Sequence, residues 1–164
     1  MNSEQEINLR YRNNHKNQCS KINSKMARIL ALDYGGKRTG VAVTDPMQII
    51  ATGLTTIASH ELIPFLKKYI EQEPVELIII GMPKNWDESD THGTPLVVAA
   101  IKKIKKEFPN LPVKEVDERY TSKMAKDAML EMGMKKKDRR DKKLVDEIAA
   151  TIILQEYLQS ISLS

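Results

Sequence analysis

The chain has 164 residues, with 26 Lys and Arg against 22 Asp and Glu, three His and one Cys. That length predicts one domain with a proper core, and it is too short for most enzymes that close two lobes over a substrate. The lone Cys19 excludes an internal disulfide framework and a Cys-rich zinc site, and it fits a reducing compartment. The longest apolar runs, such as Leu77–Ile80 and Leu96–Ile101, fall far short of a membrane span, and the first residues lack the apolar core of a secretory signal. A soluble cytoplasmic protein is expected.

The net charge of +4 is unevenly spread. Residues 1–25 carry five positive and two negative groups among Asn, Gln and Ser. Such a composition buries too little apolar surface to offset the entropy of ordering, so a flexible basic extension is expected there, with the folded domain over 26–164. Arg28–Asp33 and Thr39–Thr44 are short apolar, strand-like runs joined by Tyr34-Gly35-Gly36-Lys37-Arg38, the composition of a hairpin. Ile49–Ile57 supplies a third strand. Ser59 is positioned to cap a helix reaching Gln72, with Pro64 near its first turn.

Val75–Ile80 is a strand apolar but for Glu76, ending at Gly81. Thr94-Pro95 predicts a helix start, with Thr94 as cap and Pro95 at the first helical position, and the helix should run to Phe108 before Pro109 stops it. Val113–Val116 is a short strand. Thr121 or Ser122 opens a helix to Met132, closed by Gly133, and Asp141 or a near neighbour opens a last helix running to about Leu158. A three-strand antiparallel meander followed by strand–helix units predicts an α/β fold: a mixed five-stranded sheet with helices on both faces.

In open α/β sheets, reactive groups gather at the carboxyl ends of strands. Asp33 ends the first strand, and Asp117 and Glu118 follow the fifth. Asp146 shares a helical face with Ala149, Ala150 and Ile153, three, four and seven residues on. A carboxylate on so small and apolar a face is costly unless paired or bound to a cation. The two alanines would let that helix approach the sheet and carry Asp146 towards Asp33. Carboxylates without His or Cys are hard oxygen ligands suited to Mg²⁺ or Mn²⁺, with Asp33, Glu118 (or Asp117) and Asp146 as the candidate metal ligands. Two such ions about 4 Å apart can activate water and stabilise the leaving oxygen of a phosphodiester. Taken singly, each acid also has a plain role: Asp33 in a turn, Glu118 paired with Arg119, Asp146 at a helix N-terminus.

The stretches LDYGGKRTGVAVTDP, IIIGMPKNWDESD, VDERYTS and KKKDRRDKKLVDEIAATIILQEYL resemble the YqgF/RuvX family over roughly Ala27 to Leu158. That resemblance implies an RNase H-like fold, with the acids equivalent to Asp33, the Asp117-Glu118 pair and Asp146 forming a metal-binding active site. It also implies a hydrolase: a nuclease that either processes the 5′ end of pre-16S rRNA in ribosome biogenesis or resolves branched DNA such as Holliday junctions. Trp86, Glu88 and His92 depart from the family's smaller, Gly-containing loop, and Tyr120 replaces a common Leu. None of these is a carboxylate of the site.

Lys135–Lys143 holds seven positive and two negative residues, so the rest of the 26–164 body is acidic. Such runs are most often solvated loops. This one directly precedes the helix bearing Asp146, so Lys135, Lys136, Lys137, Arg139, Arg140, Lys142 and Lys143 are candidate phosphate contacts that position a backbone without reading its sequence. Lys37 and Arg38, in the hairpin beside Asp33, are further candidates. Arg119 would clamp a phosphate or orient Glu118.

Lys102, Lys103, Lys105 and Lys106 read as the solvent side of a helix, and His15, His60 and His92 as surface residues. Met124, Met129, Met132 and Met134 read as packing residues. Two Phe and one Trp argue against a base-stacking platform for single strands. The expected partner is nucleic acid, with no membrane, and the protein is expected to be a monomer or weak homodimer. Two alternatives stand beside the nuclease: a non-catalytic RNA-binding ribosome-assembly factor, and a phosphate-binding module of actin/hexokinase-like type suggested by the Asp33–Gly40 hairpin.

Overall fold

A computed structural model describes residues 27–83, 92–117 and 121–163, without the side chains of 121 and 122. The basic extension, Asn85, Trp86, Asp87 and Glu88 of the loop, and Glu118, Arg119 and Tyr120 lie outside the described residues.

Five strands form one sheet: β1 (Arg28–Tyr34), β2 (Arg38–Thr44), β3 (Ala51–Ala58), β4 (Val75–Met82) and β5 (Val113–Asp117). Their order across the sheet is β3-β2-β1-β4-β5. β1, β2 and β3 are antiparallel neighbours, while β4 runs parallel to β1 and β5 parallel to β4. The expected mixed sheet is therefore present. The helices are α1 (Leu62–Gln72), α2 (Thr94–Glu107), α3 (Thr121–Glu131) and α4 (Lys142–Ser162).

Strand alternation divides the core between two faces. Leu30, Leu32, Val41, Val43, Ile78 and Ile80 pack against Leu62 and Leu66 of α1 and Val97, Ile101 and Ile104 of α2. Ile29, Ala31, Ala42 and Ile79 face Ala150, Ile153 and Leu154 of α4. Both faces of β4 are covered, which is why Leu77–Ile80 reads as an unbroken apolar run. α3 packs outside α4, through Ala125 against Ala149 and Ile152.

Several local expectations change. Ile49 and Ile50 belong to a turn rather than to β3, because the Asp45 carboxylate accepts hydrogen bonds from the amides of Met47, Ile49 and Ile50 at 3.0, 2.7 and 2.7 Å. Those amides hold the Asp45 carboxyl below its ordinary range. Ser59 does not cap α1. Its hydroxyl donates to the Gly35 carbonyl at 2.6 Å and therefore accepts from Thr39 Oγ1, tying the hairpin to the start of the helical segment. Thr94 likewise donates to the Pro83 carbonyl, and Gly93 stands at the N-cap of α2. Of the four methionines read as packing residues only Met129 is fully buried; Met124 and Met132 are exposed, since α3 covers α4 with one narrow face.

Asp141 does cap α4, accepting from the Lys143 amide at 2.9 Å. Asp141→Ala should cost about 1 kcal/mol by urea denaturation, as is usual when a helix N-cap is removed.

Candidate functional site

Asp33 lies near the end of β1, in phase with Ile29 and Ala31 and so on the α4 face. Its cross-strand partner on β2 is Gly40. A Cβ at position 40 would stand 2.0 Å from the carbonyl oxygen of Asp146. The bare backbone of β2 is therefore where the first turns of α4 come to rest. A Cβ at Gly53 of β3 would similarly stand 2.5 Å from Glu147 Oε1. Thr56 Oγ1 donates to the Lys143 carbonyl at 2.7 Å, fastening the same end of the helix to β3. The buried Ala149 and Ala150 continue the close approach along α4.

These contacts bring Asp146 to Asp33. Burial pushes the Asp33 carboxyl up to about 7, and the neighbouring Asp146 carboxylate adds to the effect. Asp146 has its own partner: Arg38 Nε donates to Asp146 Oδ2 at 2.8 Å. Arg38 shares the α4 face of β2 with Gly40, two residues on.

Of the other candidates, Asp117 is exposed at the end of β5, opposite Met82 of β4. Its charge acts on Glu156 of α4, whose carboxyl is raised first by burial and then by Asp117. Glu156 is ten residues beyond Asp146, about 15 Å along the helix. The Asp33–Asp146 pair and the Asp117–Glu156 pair are thus separate along α4. Among the described residues, no group of three or more His, Cys, Asp or Glu is placed to hold a metal ion.

The basic run forms a 3-10 turn, Asp138–Arg140, leading into α4. Lys135, Lys136, Lys137, Arg140, Lys142 and Lys143 are exposed, as is Lys37 at the hairpin. Arg139 is half-buried, and its Nε–H has no hydrogen-bond acceptor among the described residues. Lys142 and Lys143 occupy the first turn of α4, where a cation opposes the helix dipole by roughly 0.3–1 kcal/mol. Helix stability does not explain their position.

Sequence reasoning did not anticipate the Arg38–Asp146 pair or the roles of Gly40, Gly53 and Thr56. A signal existed for the glycines, because glycine inside an apolar strand often marks close backbone approach. His60 and His92 are exposed, as are Lys102, Lys103, Lys105 and Lys106. No described helix is long and apolar enough to cross a membrane.

Comparison with known proteins agrees with this architecture. The chain is 56% identical over 135 residues to a protein of Phocaeicola vulgatus named "Putative pre-16S rRNA nuclease", covering 82% of this chain and 97% of that protein. A Bacteroides thetaiotaomicron protein of the same name is 55% identical over 135 residues, covering 82% and 98%. Among solved structures, Thermus thermophilus RuvC in complex with a Holliday junction substrate superposes with a TM-score of 0.53 at 13% identity, covering 83% of this chain and 97% of that one. At that identity the likeness concerns the fold, which is RNase H-like. The family model described as RuvX, Holliday junction resolvase, matches residues 27–160, so the chain belongs to the RuvX family.

Proposed function

We propose that the protein is a cytoplasmic nuclease that hydrolyses phosphodiesters of structured nucleic acid with the help of Mg²⁺ or Mn²⁺, and that its substrate is the 5′ end of precursor 16S rRNA. The nuclease reading follows the family and the curated relatives. The observation that carries the metal reading is the Asp33–Asp146 pair: two neighbouring, half-buried carboxylates, of which Asp33 carries a raised pKa because of desolvation and of the other. Such a pair is short of positive charge. Mg²⁺ commonly binds through one or two carboxylates plus substrate phosphate, keeping several waters, so two described acids fit it.

Asp33 and Asp146 would hold the ion, with Glu118 or Asp117 completing the set or orienting water. The bound ion would lower the pKa of a water and offset charge on the leaving oxygen. The chain's own residues do the rest. Asp33, partly protonated near neutral pH, would give up its proton to an arriving cation, Asp146 stays oriented by Arg38, and the basic run before α4 would hold the nucleic-acid backbone, with Lys142 and Lys143 about one helical turn from Asp146. Arg139, whose Nε–H has no acceptor among the described residues, has a donor ready for a phosphate oxygen.

The test is cleavage by the purified protein, with Mg²⁺, of a 16S rRNA precursor end and of a four-way DNA junction. Solution mass measured on the same sample distinguishes a monomer from a weak homodimer. Trimming of the RNA end, abolished by EDTA, is expected. Cleavage of the junction alone would transfer the substrate to branched DNA. Undiminished activity in EDTA would remove the metal, and binding without cleavage would favour an assembly factor. Neutralising Lys135, Lys136 and Lys137 to Gln should weaken RNA binding for all sequences alike. It should also reduce the slope of log affinity against log salt by about 1 for each phosphate no longer neutralised, measured by a binding titration at several salt concentrations.

A further inference from the structure

We infer that Arg38 is a positioning residue for the cation site, holding Asp146 by one carboxylate oxygen so that the other is presented to the ion. This rests on the metal reading above. The sequence alone makes Arg38 a phosphate contact, since it stands in a polar hairpin next to Asp33. The structure commits it elsewhere: its Nε donates to Asp146 Oδ2 at 2.8 Å, across 108 residues of chain.

Two features favour this role over an incidental ion pair. First, the two side chains are only 33% and 23% exposed, well short of the exposed pairs that contribute little. Second, Arg38 lies on β2 in phase with Gly40, the residue on which the Asp146 backbone rests. Helix position and carboxylate orientation are thereby set by the same strand. Carboxylate ligands are usually held in this way by an outer donor, whose loss costs about 10–100-fold in metal affinity.

The experiment is Mn²⁺ binding by isothermal calorimetry to the whole, metal-free protein, without nucleic acid. Wild type, Arg38→Gln, Arg38→Lys and Asp146→Asn are compared, with thermal midpoints of each metal-free sample as the folding control. Arg38→Gln should weaken Mn²⁺ by about 10-fold or more. Arg38→Lys keeps the charge but replaces the planar fork with a point charge, and should also weaken binding, by less. If Arg38→Gln does not fold, Arg38→Lys decides: weaker binding supports the role and wild-type affinity overturns it.

Unchanged Mn²⁺ affinity in Arg38→Gln, with RNA affinity reduced, would return Arg38 to the phosphate contacts. Tighter Mn²⁺ binding would make it a competitor of the ion. Either result overturns the inference while the metal reading stands. A wild-type protein that binds no Mn²⁺, or an Asp146→Asn variant that binds it equally well, overturns the metal reading and this role with it.

Discussion

Asp33→Asn is expected to abolish cleavage while making the metal-free protein more stable at neutral pH. Asn keeps the shape of the side chain but cannot supply an anionic oxygen to a cation. The stability gain follows from linkage. Asp33 titrates near 7 in the folded chain against an ordinary 3.8, so between those values the folded protein holds a proton that the unfolded chain has released. Stability therefore falls as pH rises through that window, and the full penalty is present above about 7. The displacement corresponds to at most about 4 kcal/mol, or a melting temperature higher by at most roughly 8–16 °C. Melting wild type and variant in chelator from pH 4 to 8 should show curves that coincide at the acid end and diverge upward. A variant that melts below wild type at pH 8 would contradict this account of Asp33, and one that still cleaves would remove it from the chemistry.

Gly40→Ala should be far more damaging than Gly53→Ala on the neighbouring strand. The new Cβ would stand 2.0 Å from a backbone oxygen, which no rotamer change can relieve. α4 must lift from β2, or β2 must bend. A loss of about 3 kcal/mol or more is expected by urea denaturation. Cleavage should fall at least about 100-fold even where the protein remains folded, because a shift of about 1 Å in Asp146 suffices. Gly53→Ala is the control. Its added methyl meets the flexible Glu147 side chain, which can swing aside, so only a small change is expected. Wild-type stability in Gly40→Ala would show that α4 is not seated as described.

The sheet was readable because its apolar runs are short, dense and separated by turn-forming residues, and both faces of β4 leave their mark in Leu77–Ile80. The start of α4 was readable because Asp141 performs the local task its chemistry suits. Ser59 and Thr94 were misread for a related reason. Both are good capping residues, but their hydroxyls are spent on the carbonyls of Gly35 and Pro83, partners fixed by tertiary placement. Asp33 and Asp146 could be proposed from element ends and helical spacing alone. Arg38 could not be assigned to Asp146, because no local pattern links residues 108 apart. Asp117 stands at a strand end as expected, and its charge there raises the Glu156 carboxyl of α4, which no local pattern signalled.

The seat of α4 on Gly40 also bears on how this protein responds to heat. The gap between Asp33 and Asp146 is spanned by main chain touching main chain, with no loop or hinge interposed. The helix that carries one acid also closes one of the two hydrophobic faces of the sheet. The pair therefore has no way to loosen by itself. It should keep its spacing until the whole domain melts, so that reactivity on warming is limited by the fold's cooperativity and not by a softer centre within it.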